Sequence, residues 1–248
     1  MNRKGLSQEG LKLIACFSML LDHVAVALFV PLFNMFPSGI VWYGNTWLRI
    51  VGRIAFPIYC FQLAEGIHHT KNPKKYALRL AVGALLAEIP FDLLFFKELT
   101  WAYSSVMVTL LLGFLYGCLS KKLENPWWNL LLLAAAFLAA EALGADYGGL
   151  GVALIALFIL TREQPHCRLM QTVGLAVICW LLGGATVTVG FVRLPMQMFA
   201  LFSLVPIFCY SGKKRTVSPW VQWGFYLFYP VHLALLLLCC CFLTGAVR

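Results

Sequence analysis

Charged residues are scarce in this sequence: 12% of its 248 residues are charged, whereas 61% are apolar. A typical soluble domain carries roughly 25% charged residues, about twice this share. The segments between the apolar runs are also short, so they leave no room for a separate soluble catalytic domain. The composition excludes an ordinary soluble protein and predicts one all-α domain, residues 1–248, that is integral to the lipid bilayer.

Several signals of other functions are missing. The nine cysteines are scattered through apolar stretches without metal-ligand spacing, so we expect neither a metal site nor a disulfide framework. The net charge is +9, but the basic residues lie between apolar runs and form no single patch, so we expect no nucleic-acid partner. The basic N-terminus is followed by no small-residue cleavage pattern, which predicts a retained first span.

Nine apolar runs recur along the chain, and they predict a polytopic bundle of about nine transmembrane helices. The runs lie at 13–33, 48–66, 77–96, 104–119, 127–143, 147–161, 169–190, 194–210 and 221–244. The runs at 104–119 and 147–161 are short for a full crossing, so we expect tilted pieces or half-helices among the nine.

Most of the 19 basic residues fall in alternate connections between these runs. They are Arg3, Lys4, Lys12, Lys71, Lys74, Lys75, Arg79, Lys121, Lys122, Arg162, Arg168, Lys213, Lys214 and Arg215. Because basic residues accumulate in cytoplasmic connections, this pattern predicts a cytoplasmic N-terminus and an external C-terminus.

The first apolar run carries two ionisable residues, Asp22 and His23, near the predicted bilayer midplane, and it follows Lys12. Such residues usually face a protein interior or a water-filled path, where they do chemistry. Lys12 and His23 are eleven positions apart, which places them within about 20° on one helix face and roughly 16 Å apart along the axis. This arrangement suits a long, anionic ligand that carries a thioester, with an imidazole available for acid–base work.

Other ionisable groups also fall inside the apolar runs. Arg49 and Arg53 share a face at the predicted outer end of the second span, where they grip an anionic group or pair with Glu88 and Asp92. Glu88 and Asp92 themselves are candidates either for substrate binding or for pairing between helices. His232, near the middle of the last span, is a catalytic candidate or a hydrogen-bonded core residue.

A glycine-rich turn, Asp146-Tyr147-Gly-Gly-Leu-Gly151, enters the sixth span. It lacks the lysine of a phosphate loop, so it lines a ligand site or allows close helix packing.

At these positions the chain resembles the TraX family of membrane proteins, which is associated with N-terminal acetylation of pilin. The similarity is carried by Lys12 to His23, Gly52-Arg53-Ile-Ala-Phe-Pro57, the turn at 146–151, and Phe228-Tyr229-Pro-Val-His232. The family in turn resembles transmembrane acyltransferases, in which a basic residue and a histidine separated by ten positions mark the first helix. Lys12 and His23 match that spacing.

The resemblance implies an acetyltransferase of the bacterial inner membrane that uses cytoplasmic acetyl-CoA as co-substrate. It implies that His23 acts as general base or acyl carrier, with Asp22, Arg53 and His232 as further catalytic residues. Lys12 and Arg49 would bind acetyl-CoA. The remaining candidates would bind an unidentified acceptor in the outer half of the membrane; they are Glu88, Asp92, Asp146, Tyr147 and Tyr229.

Three alternatives accompany this interpretation, and one of them is a helper subunit whose charged residues only hold the helices together. The acceptor is a peptide amine, or it is the hydroxyl of a carbohydrate or lipid. A secondary transporter is the rival from another class, because intramembrane charges also line proton and substrate paths. Such transporters are usually built from internal repeats, and we find none in this sequence.

Overall fold

The structure is a computed structural model that describes residues 5–100, 102–212 and 219–244. The described ranges contain eleven α-helices: α1 Gln8–Val24, α2 Val30–Met35, α3 Gly39–Gly52, α4 Ala55–His69, α5 Pro73–Phe95, α6 Val106–Ser120, α7 Pro126–Ala142, α8 Gly148–Thr161, α9 Cys167–Leu182, α10 Leu204–Phe208 and α11 Pro219–Thr244. Five basic residues used for the topology prediction lie outside these ranges: Arg3, Lys4, Lys213, Lys214 and Arg215.

The first two helices form one rod, because a π-helical turn, Ala25–Phe29, joins α1 directly to α2. The rod begins at Ser7, whose hydroxyl accepts a hydrogen bond from Gly10 N at 3.1 Å and so satisfies a free amide of the first turn. It spans 28 residues, or roughly 42 Å, and His23 lies near its middle. The π turn follows His23 almost at once, in the kind of place where such turns often mark functional sites.

The predicted start of the second span was wrong. The apolar run at 48–66 is preceded by a helical extension, so that α3 and α4 together cover Gly39–His69. Ser38 caps α3, and the aromatic residues that follow it lie on the exposed face of the helix. Arg49 and Arg53 therefore lie at the junction of α3 and α4 in mid-segment, and not at its outer end.

The seventh and eighth predicted runs also differ from the structure. Helix α9 ends at Leu182, where Gly183 and Gly184 take positive φ angles and turn the chain into a hairpin. The hairpin pairs strand β1, Thr186–Val189, with β2, Val192–Pro195. The run at 194–210 contains a 3₁₀ segment, Met196–Ser203, which is followed by the short α10. A hydropathy run cannot distinguish these elements from a continuous helix, because all of them are apolar.

The buried core lies where α4, α6 and α8 meet, with α1 and α9 packed around them. Helix α11 packs mainly along α5. The exposed surface is strongly apolar, with Ile40, Leu85 and Trp127 each more than 70% exposed. Exposure of large aliphatic side chains on this scale is typical of a lipid-facing surface, and the chain is a helical membrane protein.

Three stretches of the described chain are long and apolar enough to cross a bilayer: Gln8–Met35, Gly39–His69 and Trp223–Leu243. Five shorter apolar helices accompany them, namely Val106–Ser120, Pro126–Ala142, Gly148–Thr161, Cys167–Leu182 and Met196–Phe208. The number of nine crossings stays a prediction.

Candidate active site

A cavity of about 580 Å³ lies between α1, α3, α4, α5 and α11. Its polar and aromatic lining residues fall into two groups. The Lys12 end is lined by Lys12, Gln62, Tyr76, Phe225 and Tyr226, and the Asp146 end by Asp22, Arg49, Arg53, Asp146, Tyr147 and Gln197. Tyr59, Tyr229 and His23 also line the cavity. Lys12 and His23 thus open onto one cavity, about 16 Å apart along the helix axis.

His23 contacts His232 directly. His23 Nδ1 and His232 Nε2 are 2.6 Å apart, although the two residues are 209 positions apart in sequence. The rings are nearly parallel, with centroids 4.9 Å apart, and the edges of Phe95 and Tyr229 close in on His23. His232 is 5% exposed and does not line the cavity. His232 therefore supports His23 from behind.

The hydrogen-bond chain fixes the tautomer of both neutral rings. His232 Nδ1 lies 2.6 Å from the carbonyl oxygen of Phe228, which can only accept a hydrogen bond, so this nitrogen donates. His232 Nε2 then accepts, and His23 Nδ1 donates to it. The lone pair of His23 is left on Nε2, for which the described residues provide no hydrogen-bond partner. A histidine held in this way presents a base to the cavity.

Asp22 does not contact His23. Its Oδ1 forms an ion pair with Arg53 Nη2 and lies 3.7 Å from Arg49 Nε. Arg53 is 8% exposed and also donates a hydrogen bond from Nε to the carbonyl oxygen of Arg49, at 3.2 Å. The two arginines therefore pair with Asp22, and neither contacts Glu88 or Asp92. The three charges form a compact cluster that joins α1 to the end of α3.

Gly52 allows this cluster to form. A Cβ at position 52 would overlap Cβ of Asp22, so any larger residue would push α1 and α3 apart. The close approach of Asp22 thus explains why glycine precedes Arg53 in the sequence.

Asp146 and Tyr147 lie at the far end of the cavity from Lys12. The Asp146 carboxylate is exposed to the cavity, and its Oδ1 accepts a hydrogen bond from Tyr147 N at 3.1 Å. Tyr147 has a φ of 66° and stacks on Phe56 with ring centroids 3.7 Å apart, and its side chain hydrogen-bonds Gln197. The glycine-rich turn thus lines the cavity and also allows close packing, so both interpretations of that sequence apply.

Glu88 and Asp92 lie elsewhere. Glu88 Oε1 accepts hydrogen bonds from the amide and hydroxyl of Ser105, at 3.1 and 2.9 Å, and Asp92 Oδ2 accepts one from Thr100 N at 2.9 Å. Neither residue lines the cavity. Both hold the connection between α5 and α6, and a contact of either residue with a substrate stays a prediction.

Several cavity residues were not singled out from the sequence. Tyr226 belongs to the aromatic-rich segment 225–229 of α11, and Tyr76 of α5 lies one helical turn before Arg79. These aromatic residues were therefore a usable signal in the sequence. Tyr59, whose hydroxyl lies 3.1 Å from Cys16 Sγ, and Gln197 gave no signal, because each lies inside an apolar run.

Comparisons with known proteins give three findings. The family model described as "TraX protein" matches residues 7–240. The "Probable fimbrial assembly protein FimC, serogroup H1" of Dichelobacter nodosus is 32% identical over 241 residues, which cover 91% of this chain and 92% of that protein. An uncharacterised protein of Rickettsia prowazekii (strain Madrid E) is 26% identical over 168 residues, which cover 65% of this chain and 59% of that protein. No solved structure gives a significant match.

Proposed function

This chain belongs to the TraX family, and from that premise we propose that it is a membrane-embedded acetyltransferase. The donor is cytoplasmic acetyl-CoA, and the acetyl group passes to an acceptor at the outer half of the bacterial inner membrane. The observation that carries this proposal is the hydrogen-bonded pair of His23 and His232 beside a cavity that also contains Lys12.

The cavity suits a donor with an anionic head and a long arm. Lys12 provides a cation at one end, and its ammonium group lies 5.0 Å from the centroid of the Phe225 ring. His23 lies about 16 Å further along the same helix. A ligand that binds Lys12 through a phosphate and extends along α1 therefore brings its thioester to the imidazole. The apolar walls, among them Met19, Leu63 and Phe91, keep the thioester from water.

His23 has the proton-transfer role in this proposal. Its Nε2 lone pair accepts the proton that the acceptor nitrogen or oxygen loses as that atom bonds to the thioester carbon. The thioester C–S bond breaks, and the imidazolium returns the same proton to the departing sulfur. Arg53, fixed by Asp22, lends positive charge to this part of the cavity, where the thioester oxygen becomes negative.

The acceptor side favours an amine. Asp146 presents a carboxylate to the cavity at the far end from Lys12, where it can pair with an incoming ammonium group and take up one of its protons, which leaves the neutral amine that attacks the thioester. The similarity to a protein named as a probable fimbrial assembly protein supports the same choice, because a fimbrial subunit offers a peptide amino terminus. We therefore propose a peptide amine, of pilin type, as the acceptor.

Acetyl transfer tests the proposal directly. The purified chain in detergent is given labelled acetyl-CoA and a short peptide that begins with alanine. A matched peptide that begins with lactate, in which a hydroxyl replaces the amine, is the second acceptor. We expect label on the alanyl peptide. Label on the lactyl peptide alone would indicate a hydroxyl acceptor. Protein that neither binds nor hydrolyses acetyl-CoA would favour a transporter or a helper subunit.

The proposed orientation places the N-terminus and the α8–α9 connection in the cytoplasm. A variant that keeps only Cys167, at the start of α9, is expected to react with a membrane-impermeant maleimide in inverted vesicles and not in intact spheroplasts. The matched control carries a single cysteine at Glu98→Cys, in the exposed connection between α5 and α6, and shows the opposite access. Labelling of Cys167 in spheroplasts would overturn the orientation.

His232 has a positioning role, and its removal should affect turnover more than donor binding. In His232→Ala, His23 loses its acceptor and can rotate, so we expect kcat to fall by up to about 100-fold. The KM for acetyl-CoA should change little, because Lys12 is untouched. His232→Gln keeps an amide oxygen that can accept from His23 Nδ1 and should restore part of the rate. Unchanged kcat in His232→Ala would remove this role.

A further inference from the structure

Arg79 on α5 lies at the Lys12 end of the cavity, behind two tyrosines that line it. Its guanidinium carbon is 5.3 Å from the ring centroid of Tyr76 and 5.3 Å from that of Tyr226. The two tyrosines hydrogen-bond each other, and their rings meet at 86°. The guanidinium is therefore held between two aromatic faces, in a fixed place beside the cavity.

This guanidinium has no anionic partner among residues 5–100, 102–212 and 219–244. Its Nε is buried and makes no hydrogen bond. The remaining positions of the chain contain no Asp or Glu that could provide a side-chain partner. A partly buried arginine without a counter-ion is costly for a structure unless something else supplies the negative charge.

Among the described residues, no acidic side chain lines this end of the cavity. Of the described residues that line the cavity, Asp22 and Asp146 are the acidic ones, and both lie at the far end. The Lys12 end is lined by Lys12 and the rings of Tyr76, Phe225 and Tyr226, and a second cation, Arg79, lies directly behind the two tyrosines. Cations bind phosphate groups, and aromatic rings stack on a purine base.

We propose that this end of the cavity is the subsite for the nucleotide part of the acyl donor, in which Arg79 binds a phosphate group. The inference rests on the proposed function, because it takes acetyl-CoA as the donor. It adds Arg79, Tyr76 and Tyr226 to the residues that recognise the donor. In the sequence Arg79 was counted only as a basic residue of a connection.

The test separates the nucleotide from the rest of the donor. Dissociation constants are measured for acetyl-CoA and for S-acetylpantetheine, which carries the same thioester and arm without the nucleotide. Wild-type protein should bind acetyl-CoA much more tightly. Arg79→Gln should weaken acetyl-CoA binding by about 10- to 100-fold, the range for a lost hydrogen bond to a charged group, and leave S-acetylpantetheine unchanged. Arg79→Lys keeps the charge without the planar guanidinium, and its affinity for acetyl-CoA should lie between those of the wild type and of Arg79→Gln.

Arg168→Gln is the matched control. Arg168 also lies over one aromatic ring, that of Phe208 at 5.4 Å, but Phe208, unlike Tyr76 and Tyr226, does not line the cavity. Its replacement should leave both affinities unchanged, and the melting temperatures of all variants report whether each is folded. A lipid phosphate is the other source of the same chemistry, so binding is repeated with phosphatidylglycerol in the micelles.

The outcomes are distinct. If Arg79→Gln weakens the binding of both ligands equally, or changes neither affinity, the nucleotide subsite is overturned and the acetyltransferase proposal stands. In another outcome, phosphatidylglycerol competes with the donor only when Arg79 is present, while the preference for acetyl-CoA over S-acetylpantetheine is the same with and without Arg79. That outcome would assign the phosphate to a lipid and would also overturn the nucleotide subsite. Wild-type protein that binds neither donor would overturn the proposed function together with this inference.

Discussion

Replacing His23 with alanine is expected to abolish acetyl transfer while the protein stays folded. In the proposed mechanism the imidazole Nε2, which the hydrogen-bond chain through His232 leaves without a proton, is the base, and general bases contribute about 10²- to 10⁴-fold to rate. The measurement is transfer of label from acetyl-CoA to the alanyl peptide. Acetyl-CoA affinity should be retained in the variant, because Lys12 and Arg79 remain in place.

Two controls accompany this experiment. His166→Ala removes an exposed histidine in the α8–α9 connection and should leave the rate unchanged. Gel-filtration profile and melting temperature establish that His23→Ala is folded. A folded His23→Ala variant that transfers acetyl at more than a tenth of the wild-type rate would rule out His23 as the base.

Replacing Asp22 with asparagine is expected to give the largest loss of stability. Asp22 is the carboxylate that neutralises Arg53, and Arg49 is close by. Without it, two like charges remain, one of them almost fully buried. Breaking a buried pair from one side typically costs about 3–5 kcal/mol. We expect a large fall in the melting temperature of the purified protein, and little expression of the variant if the margin of stability is small.

A double variant tests whether the loss comes from the pair itself. Asp22→Asn with Arg53→Gln removes both charges and should recover part of the stability that Asp22→Asn loses. Glu163→Gln is the control, because Glu163 lies 3.7 Å from Arg162 in an exposed ion pair and should contribute little. Additive effects of the two single changes would mean that Asp22 and Arg53 are not coupled.

Helical periodicity was sufficient for part of the site. The eleven-residue spacing of Lys12 and His23 placed both on one face, and both line the cavity. Membrane character followed from composition, because a chain with so many apolar and so few charged residues cannot cover its surface with polar groups and form a water-soluble fold. These inferences depend on one helix or on the whole chain, and neither requires knowledge of which helices touch.

Long-range partners were beyond the sequence. His232 was equally plausible as a core histidine and as a catalytic one, because the sequence does not show that α11 packs beside α1. The sequence offered Glu88 and Asp92 as partners of Arg53, whereas its partner is Asp22. Glu88 and Asp92 have the spacing of a functional pair, yet each satisfies backbone amides in a connection. Their spacing on α5 gave no sign of this, because the partner amides belong to another segment.

The predicted ends of the helices around residues 183–203 were wrong for a different reason. Strand β1, Thr186–Val189, and the 3₁₀ segment Met196–Ser203 both fall inside apolar runs, so hydropathy alone assigned them to transmembrane helices. Gly183 and Gly184, both at positive φ, are the residues that stop α9, and glycine is also common within membrane helices. The pair was therefore a weak signal by itself.

The contact between His23 and His232 has a consequence for biosynthesis. The ribosome makes α1 first among the helices and α11 last, with 209 positions between the two rings. Until α11 has been inserted, His232 is not available to accept the Nδ1 proton of His23, and the two tautomers of the His23 ring are free to interconvert. A partly translated chain thus carries the His23 imidazole without its orientation, and the histidine pair is completed only as translation reaches α11.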